Sequence, residues 1–162
     1  MAEAKNQMRL LIVAHAPSPN TLALRDAVIA GASVPEIENV EVVMRPPLEA
    51  VPEDVLAARA IILGTTENLG YMSGALKDFF DRIYYPCLEE KQGMPFAAYI
   101  RAGQDGTGTH RAIDSIITGL RWRQVSRALR KRQQLTARDL VKEQRAGMEL
   151  ERGHWGYKVS HI

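Results

Sequence analysis

A chain of 162 residues with 46% apolar and 25% charged side chains has the balance of a globular protein and the length of a single domain. Its one cysteine, Cys87, excludes a disulfide framework within the chain and any zinc or iron–sulfur site built from several cysteines. Lys and Arg number 21 against 19 Asp and Glu, and the resulting net charge of +2 is too small to imply a nucleic-acid partner by itself. Residues 1–162 are therefore expected to form one domain, with a core over about 8–151 and a polar tail over 152–162. The polar start Met1–Gln7 carries no targeting signal, and the apolar run Leu10–Ala14 is too short for a signal-peptide core. No stretch approaches the ~20 apolar residues of a membrane-spanning helix. The expected location is the cytoplasm, with no membrane partner.

In chain order, the first strand is expected at Leu10–Ala14 and leads into the loop His15–Thr21. A helix follows over Thr21–Ala30, with Leu24, Ala27 and Val28 on one face and Gly31 as its stop. A weaker strand, Val40–Met44, ends at Pro46-Pro47. The second strong run, Ala60–Leu63, leads into Gly64–Tyr71. Ser73 then caps a helix whose Leu76, Phe79, Phe80 and Ile83 keep i, i+3, i+4, i+7 spacing. The third run, Phe96–Ile100, leads into Arg101–Gly108, and Ala112, Ile113, Ile116, Ile117 and Leu120 repeat the helical pattern. Arg121–Arg132 spans an expected last strand and its exit. Thr136 with Asp139 as a capping box, and Leu135 with Leu140 as a staple, open a final helix that runs to about Glu151. Short, continuous apolar runs suit strands buried on both faces of a parallel sheet. The alternation is that of an open α/β sheet, whose ligands bind beyond the carboxyl ends of the strands.

The first loop places Ser18, Asn20 and Thr21 at a helix start, where hydroxyls, an amide and unpaired backbone N–H groups suit a phosphate. An ordinary N-cap at Asn20 or Thr21 accounts for the same residues. The lysine and glycine spacing of a nucleoside-triphosphate loop is absent.

The second loop and its helix, Gly64-Thr65-Thr66-Glu67-Asn68-Leu69-Gly70-Tyr71-Met72-Ser73-Gly74-Ala75-Leu76-Lys77-Asp78-Phe79-Phe80-Asp81-Arg82, resemble the flavodoxin-like family. The nearest resemblance is to its NAD(P)H-dependent FMN reductase and quinone reductase branch, and it extends from Leu10 to about Leu120. It implies a three-layer α/β/α sandwich around a five-stranded parallel sheet in the order 2-1-3-4-5. It also implies FMN as cofactor, with the phosphate at Ser18, Asn20 and Thr21 and with His15 near the phosphate or ring. The flavin ring would lie against Thr65, Thr66, Glu67, Asn68, Leu69, Gly70 and Tyr71, with Gly103, Gln104, Asp105 and Gly106 closing its other side. The chain departs from the family's usual residues at Thr66, where proline is common, at Leu69, often aromatic, and at Pro19, often glycine.

The same resemblance implies reduction of flavin or quinone-type acceptors by hydride transfer through flavin N5, with no side chain required as acid or base. The third loop lacks the Gly-x-Gly-x-x-Gly order and the chain has no room for a nicotinamide domain, so NAD(P)H would dock transiently, in ping-pong fashion. A homodimer or homotetramer follows from the habit of related reductases of building the site beside a subunit interface. Two other readings stand beside this one: a small flavodoxin-type electron carrier without nicotinamide activity, and a flavin-free binding module using the basic stretch 121–132.

Lys77 with Asp81 and Asp78 with Arg82, each four apart, read as helix-surface ion pairs. His15 serves as a ligand contact or an ordinary loop histidine, and His110 follows the third loop. His154 and His161 have no ligand spacing, and no metal site is expected. Cys87 reads as a packing or surface residue. Arg121, Arg123, Arg127, Arg130, Lys131 and Arg132 form a run without acids. It is a charged, protected edge strand, an anionic docking surface for the NADPH 2′-phosphate or an acidic partner, or a nucleic-acid surface, the last without aromatic interleaving.

Overall fold

The computed structural model describes residues 7–125. The expected helix Thr136–Glu151, the basic run from Arg127 onward, His154 and His161 lie outside the described residues.

Strand β1 (Met8–Ala14) pairs in parallel with β2 (Val40–Arg45) on one side and with β3 (Ala60–Asn68) on the other. Strand β5 (Pro95–Arg101) lies beyond β3, and the two-residue β6 (Arg123–Gln124) beyond that. The order β2-β1-β3-β5-β6 is the expected 2-1-3-4-5 sheet, with one short extra strand, β4 (Tyr71–Met72), attached antiparallel to β3. Helices α1 (Pro19–Ala32), α2 (Pro52–Ala57), α3 (Gly74–Cys87) and α4 (Thr107–Leu120) cover the sheet.

The unbroken apolar run of β1 follows from its place in the middle of three layers. Leu11 and Val13 enter the core shared with Val55 of α2, Phe79, Phe80 and Ile83 of α3, and Ile113 and Ile117 of α4. Leu10, Ile12 and Ala14 enter a second core with Val28 and Ala32 of α1. A strand facing water on one side would alternate; this one faces a helix layer on each. Strand β2 is half-buried along its length because it is an edge, which is why its sequence signal is weak.

Two boundaries differ from the sequence expectation. Helix α1 starts two residues earlier than Thr21 and runs on through Gly31, because Ser18 is its N-cap and Pro19, with φ already fixed, occupies the first helical position. Strand β3 continues past its apolar run to Asn68, since its ladder to β5 extends through Thr65↔Ile100 and Thr66↔Arg101. The chain then reverses in a tight hairpin whose two turn residues, Leu69 (φ 53°) and Gly70 (φ 72°), are both left-handed. Helix α2 is too short for periodicity to reveal. It starts at Pro52, with Asp54 Oδ2 accepting the Val51 N–H at 3.0 Å.

Candidate functional site

The carboxyl ends of β1, β3 and β5 lie side by side, and all three long loops rise from them. The first is governed by a reciprocal cap. Ser18 N–H donates to Thr21 Oγ1 at 2.9 Å, Thr21 N–H donates to Ser18 Oγ at 3.4 Å, and the Thr21 hydroxyl donates to the Ser18 carbonyl at 2.9 Å. Thr21 is buried and its hydroxyl is committed to the helix start. Of the three residues expected at a phosphate, Asn20 alone keeps both its side-chain amide and its backbone N–H unengaged, on the exposed first turn of α1. His15 is half-buried, and its N–H donates to Gly64 O at 2.9 Å, tying the first loop to β3.

The second loop is a hairpin held at both ends. At its base, Ser73 N–H donates to Thr65 Oγ1 at 3.0 Å and the Thr65 hydroxyl donates to Thr66 O at 3.0 Å. Ser73 Oγ in turn caps α3 by accepting the Leu76 N–H at 3.1 Å. Thr65 and Ser73 are both buried, and the Thr65 hydroxyl holds the base of the hairpin. At the tip, Gly108 in the first turn of α4 packs directly on the Gly70 carbonyl, leaving no room there for a Cβ. Leu69, fully exposed in a backbone conformation costly for a side-chain-bearing residue, and Tyr71, also exposed, present apolar surface beside that contact.

The second and third loops meet through one charged group: Gln104 N–H donates to Glu67 Oε2 at 2.8 Å. Within the third loop Asp105 Oδ1 accepts the Thr107 N–H at 2.9 Å, and Gly106 takes a left-handed φ of 71° as N-cap of α4. Gly103 and Gln104 are exposed beside Glu67. The residues from Glu67 to Tyr71 and from Gly103 to Gly106, 37 positions apart at the bridging bond, thus form one clasp.

Sequence reasoning missed one member of this arrangement. Gly108 appears in the sequence only as a glycine of the third loop. Arg101, at the last position of β5, is half-buried and donates to the Ala102 carbonyl at 2.9 Å.

The remaining candidates are structural. Lys77–Asp81 and Arg82–Asp78 are i,i+4 pairs at 2.6 and 2.7 Å, as expected. Arg82 does more than pair: its two terminal nitrogens donate to Ala50 O at 2.5 Å and Pro47 O at 2.6 Å, fastening the loop after β2 to α3. His110 Nδ1 pairs with Asp114 Oδ2 at 2.8 Å one turn along α4. Cys87 is fully buried, its thiol facing the Pro52 carbonyl at 3.8 Å, and burial pushes it up to about 11. Among the described residues no group of His, Cys, Asp and Glu could hold a metal ion, and no helix is long and apolar enough to cross a membrane.

A parallel sheet in this order, with a capped helix start and two bridged loops at its carboxyl edge, defines a flavodoxin-like α/β protein. The fold is shared with a flavodoxin from the domain Archaea (TM-score 0.72, 23% identity, 90% of this chain and 97% of that one). It is shared too with a flavodoxin described as WrbA-like from Agrobacterium tumefaciens (TM-score 0.66, 17% identity, 90% and 96%). In sequence, the chain is 31% identical over 112 residues to a flavodoxin of Aquifex aeolicus (strain VF5), covering 69% of this chain and 60% of that protein. The pattern that defines the NADPH-dependent FMN reductases matches residues 13–130, and the chain belongs to that family.

Proposed function

We propose that this protein is an FMN-binding oxidoreductase that uses NAD(P)H to reduce a flavin or quinone-type acceptor. The observation that carries the reading is the Glu67–Gln104 clasp, which brings the second and third loops together at the sheet's carboxyl edge. The residues present fit FMN. Asn20 offers two uncommitted donors at the positive end of α1, Thr66 Oγ1 is buried without a partner, and Leu69 and Tyr71 expose apolar surface for a flat ring.

When bound, FMN would supply two-electron redox chemistry. The chain's own work is orientation. Asn20 and the start of α1 anchor the phosphate. Leu69 and Tyr71 would cover the ring and limit its contact with water. Gly70 permits the hairpin, and Glu67 holds the Gln104 segment against the opposite side. No side chain would be required to move a proton, and the nicotinamide would dock transiently and leave before the acceptor enters.

Titration of the purified protein into FMN tests the binding step: quenching of flavin fluorescence supports the reading. A protein that leaves FMN fluorescence unchanged would be a flavin-free binding module. The match to the Aquifex flavodoxin favours a second reading, a small electron carrier, in which FMN binds and neither nicotinamide reduces it.

A further inference from the structure

Seven large apolar side chains are exposed among the described residues, and four of them, Leu48, Val51, Leu56 and Tyr85, belong to one face. Arg82, Cys87 and Lys91 define it by reaching the backbone beside α3 in turn. Arg82 donates to Pro47 O and Ala50 O, the Cys87 thiol to Pro52 O, and Lys91 to Leu56 O. The segment 47–56, most of α2 included, therefore runs alongside α3 in the same direction. Tyr85, 81% exposed, lies between these contacts on the outward side of α3, opposite the buried Phe79, Phe80 and Ile83. Leu48, 65% exposed, follows β2 on the neighbouring segment.

The charges around this apolar centre do not balance. Arg45 is engaged by Asp54, Arg82 by Asp78, and Lys91 by a carbonyl, while Arg59 stands beside Lys91 past the end of α2. Glu49, Glu53 and Glu90 are exposed and make no ion pair among the described residues. An apolar centre rimmed by unpaired carboxylates repels a phosphate backbone, an anionic lipid surface and a copy of itself. It fits a basic segment with apolar residues among its charges.

The chain carries such a segment. Residues 7–125 hold 11 Lys and Arg against 14 Asp and Glu, whereas Arg121–Arg132 holds six basic residues and no acid, with Ala128 and Leu129 among them. The run leaves the sheet at β6, the edge opposite β2. Four strand spacings, about 19 Å, separate those edges, and the face lies beyond a helix layer about 10 Å thick. At about 3.4 Å per residue, Arg127 and Arg130 extend at most about 7 and 17 Å from Val125, with α4 and α3 in between. The run therefore falls short of this face on its own chain. We propose that the α2–α3 face docks the basic run Arg121–Arg132 of a second copy, in a reciprocal exchange that closes as a dimer. Tyr85, set edge-on against Tyr84 with ring centroids 5.3 Å apart, is the apolar anchor, and Glu49, Glu53 and Glu90 are the charged rim.

Sedimentation of the intact chain, without flavin, decides it. Wild type is expected to form a dimer that dissociates as salt is raised. Tyr85→Ala, at an exposed position that leaves the core intact, should weaken that dimer about tenfold. Two charge-reversed proteins carry the sharper test: one with Glu49→Lys, Glu53→Lys and Glu90→Lys, the other with Arg127→Glu, Arg130→Glu and Arg132→Glu. Each should be monomeric alone, and the two should dimerise when mixed, because each then offers the charge that the other lacks. Misfolding of either variant would not be rescued by mixing. Folded variants that stay monomeric together overturn the exchange. A wild type that is monomeric at low salt overturns it too, whether the face is then bare, covered by the chain's own basic segment or kept for another basic protein. A dimer indifferent to salt and to Tyr85→Ala is built on another surface and equally overturns it.

Discussion

Replacing Gly108 by alanine isolates the contact that seats the Leu69–Gly70 hairpin on α4. A Cβ at this position would overlap the Gly70 carbonyl, far inside the 3.0 Å that real Cβ contacts respect. The obstructing atom is backbone, so no side chain can swing aside; the hairpin tip must retreat by on the order of 1 Å. Overpacking of this kind costs about 1–3 kcal/mol. Against it stands the better helix propensity of alanine, at most about 1 kcal/mol and less in the first turn of α4. The net expectation is a loss of about 1–2 kcal/mol, or a fall in Tm of about 2–4 °C per kcal/mol for a chain of this size. Because Leu69 and Tyr71 ride on the same hairpin, FMN affinity should fall about tenfold. Urea denaturation and flavin-fluorescence titration read the two effects, with Gly74→Ala as the control, since a Cβ at Gly74 meets nothing within 4 Å. A Gly108→Ala protein as stable as wild type, with unchanged FMN affinity, would refute the view that this contact positions the hairpin.

Three further outcomes are expected. Leu69→Gly relieves a left-handed backbone worth about 1–2 kcal/mol while adding unfolded-state entropy, so it should stabilise the protein by about 0.5 kcal/mol in denaturant titrations. The same substitution removes apolar surface from the proposed ring site and should weaken FMN binding. Arg82→Ala strands the carbonyls of Pro47 and Ala50 and should cost about 2 kcal/mol; Arg82→Lys restores little, because one ammonium cannot reproduce the fork that reaches Asp78 and both carbonyls. For Cys87 the folded thiol titrates near 11 against an ordinary 9.0, so the folded state holds the proton more tightly than the unfolded chain. Its contribution is complete below about pH 9 and is lost as the pH rises towards about 11; the stability difference between wild type and Cys87→Ala should therefore narrow across that window.

The sequence made the centre of the molecule legible and its edges less so. Leu10–Ala14, Ala60–Leu63 and Phe96–Ile100 are readable because each strand faces a helix layer on both sides, and Ser73 is readable because its cap is local. The N-cap of α1 was displaced to Ser18 by Pro19, a residue that fits a first helical turn better than a loop. The hairpin is not legible in the sequence because Leu69, left-handed at φ 53°, carries no turn signal. The bond from Gln104 to Glu67 joins residues 37 apart and depends on two loops arriving at one edge, which no local pattern encodes. Arg101 reads in sequence as the first residue of a loop, and its register with Thr66 makes it the last position of β5.

Anaerobic addition of NADPH, and separately NADH, to the FMN-loaded protein tests the central claim most directly. Reduction of the bound flavin, seen as bleaching of its visible absorption and reversed by a quinone or by added flavin, is the predicted result. A flavin that binds yet stays oxidised under excess of both nicotinamides would contradict the reductase and leave an electron carrier in its place.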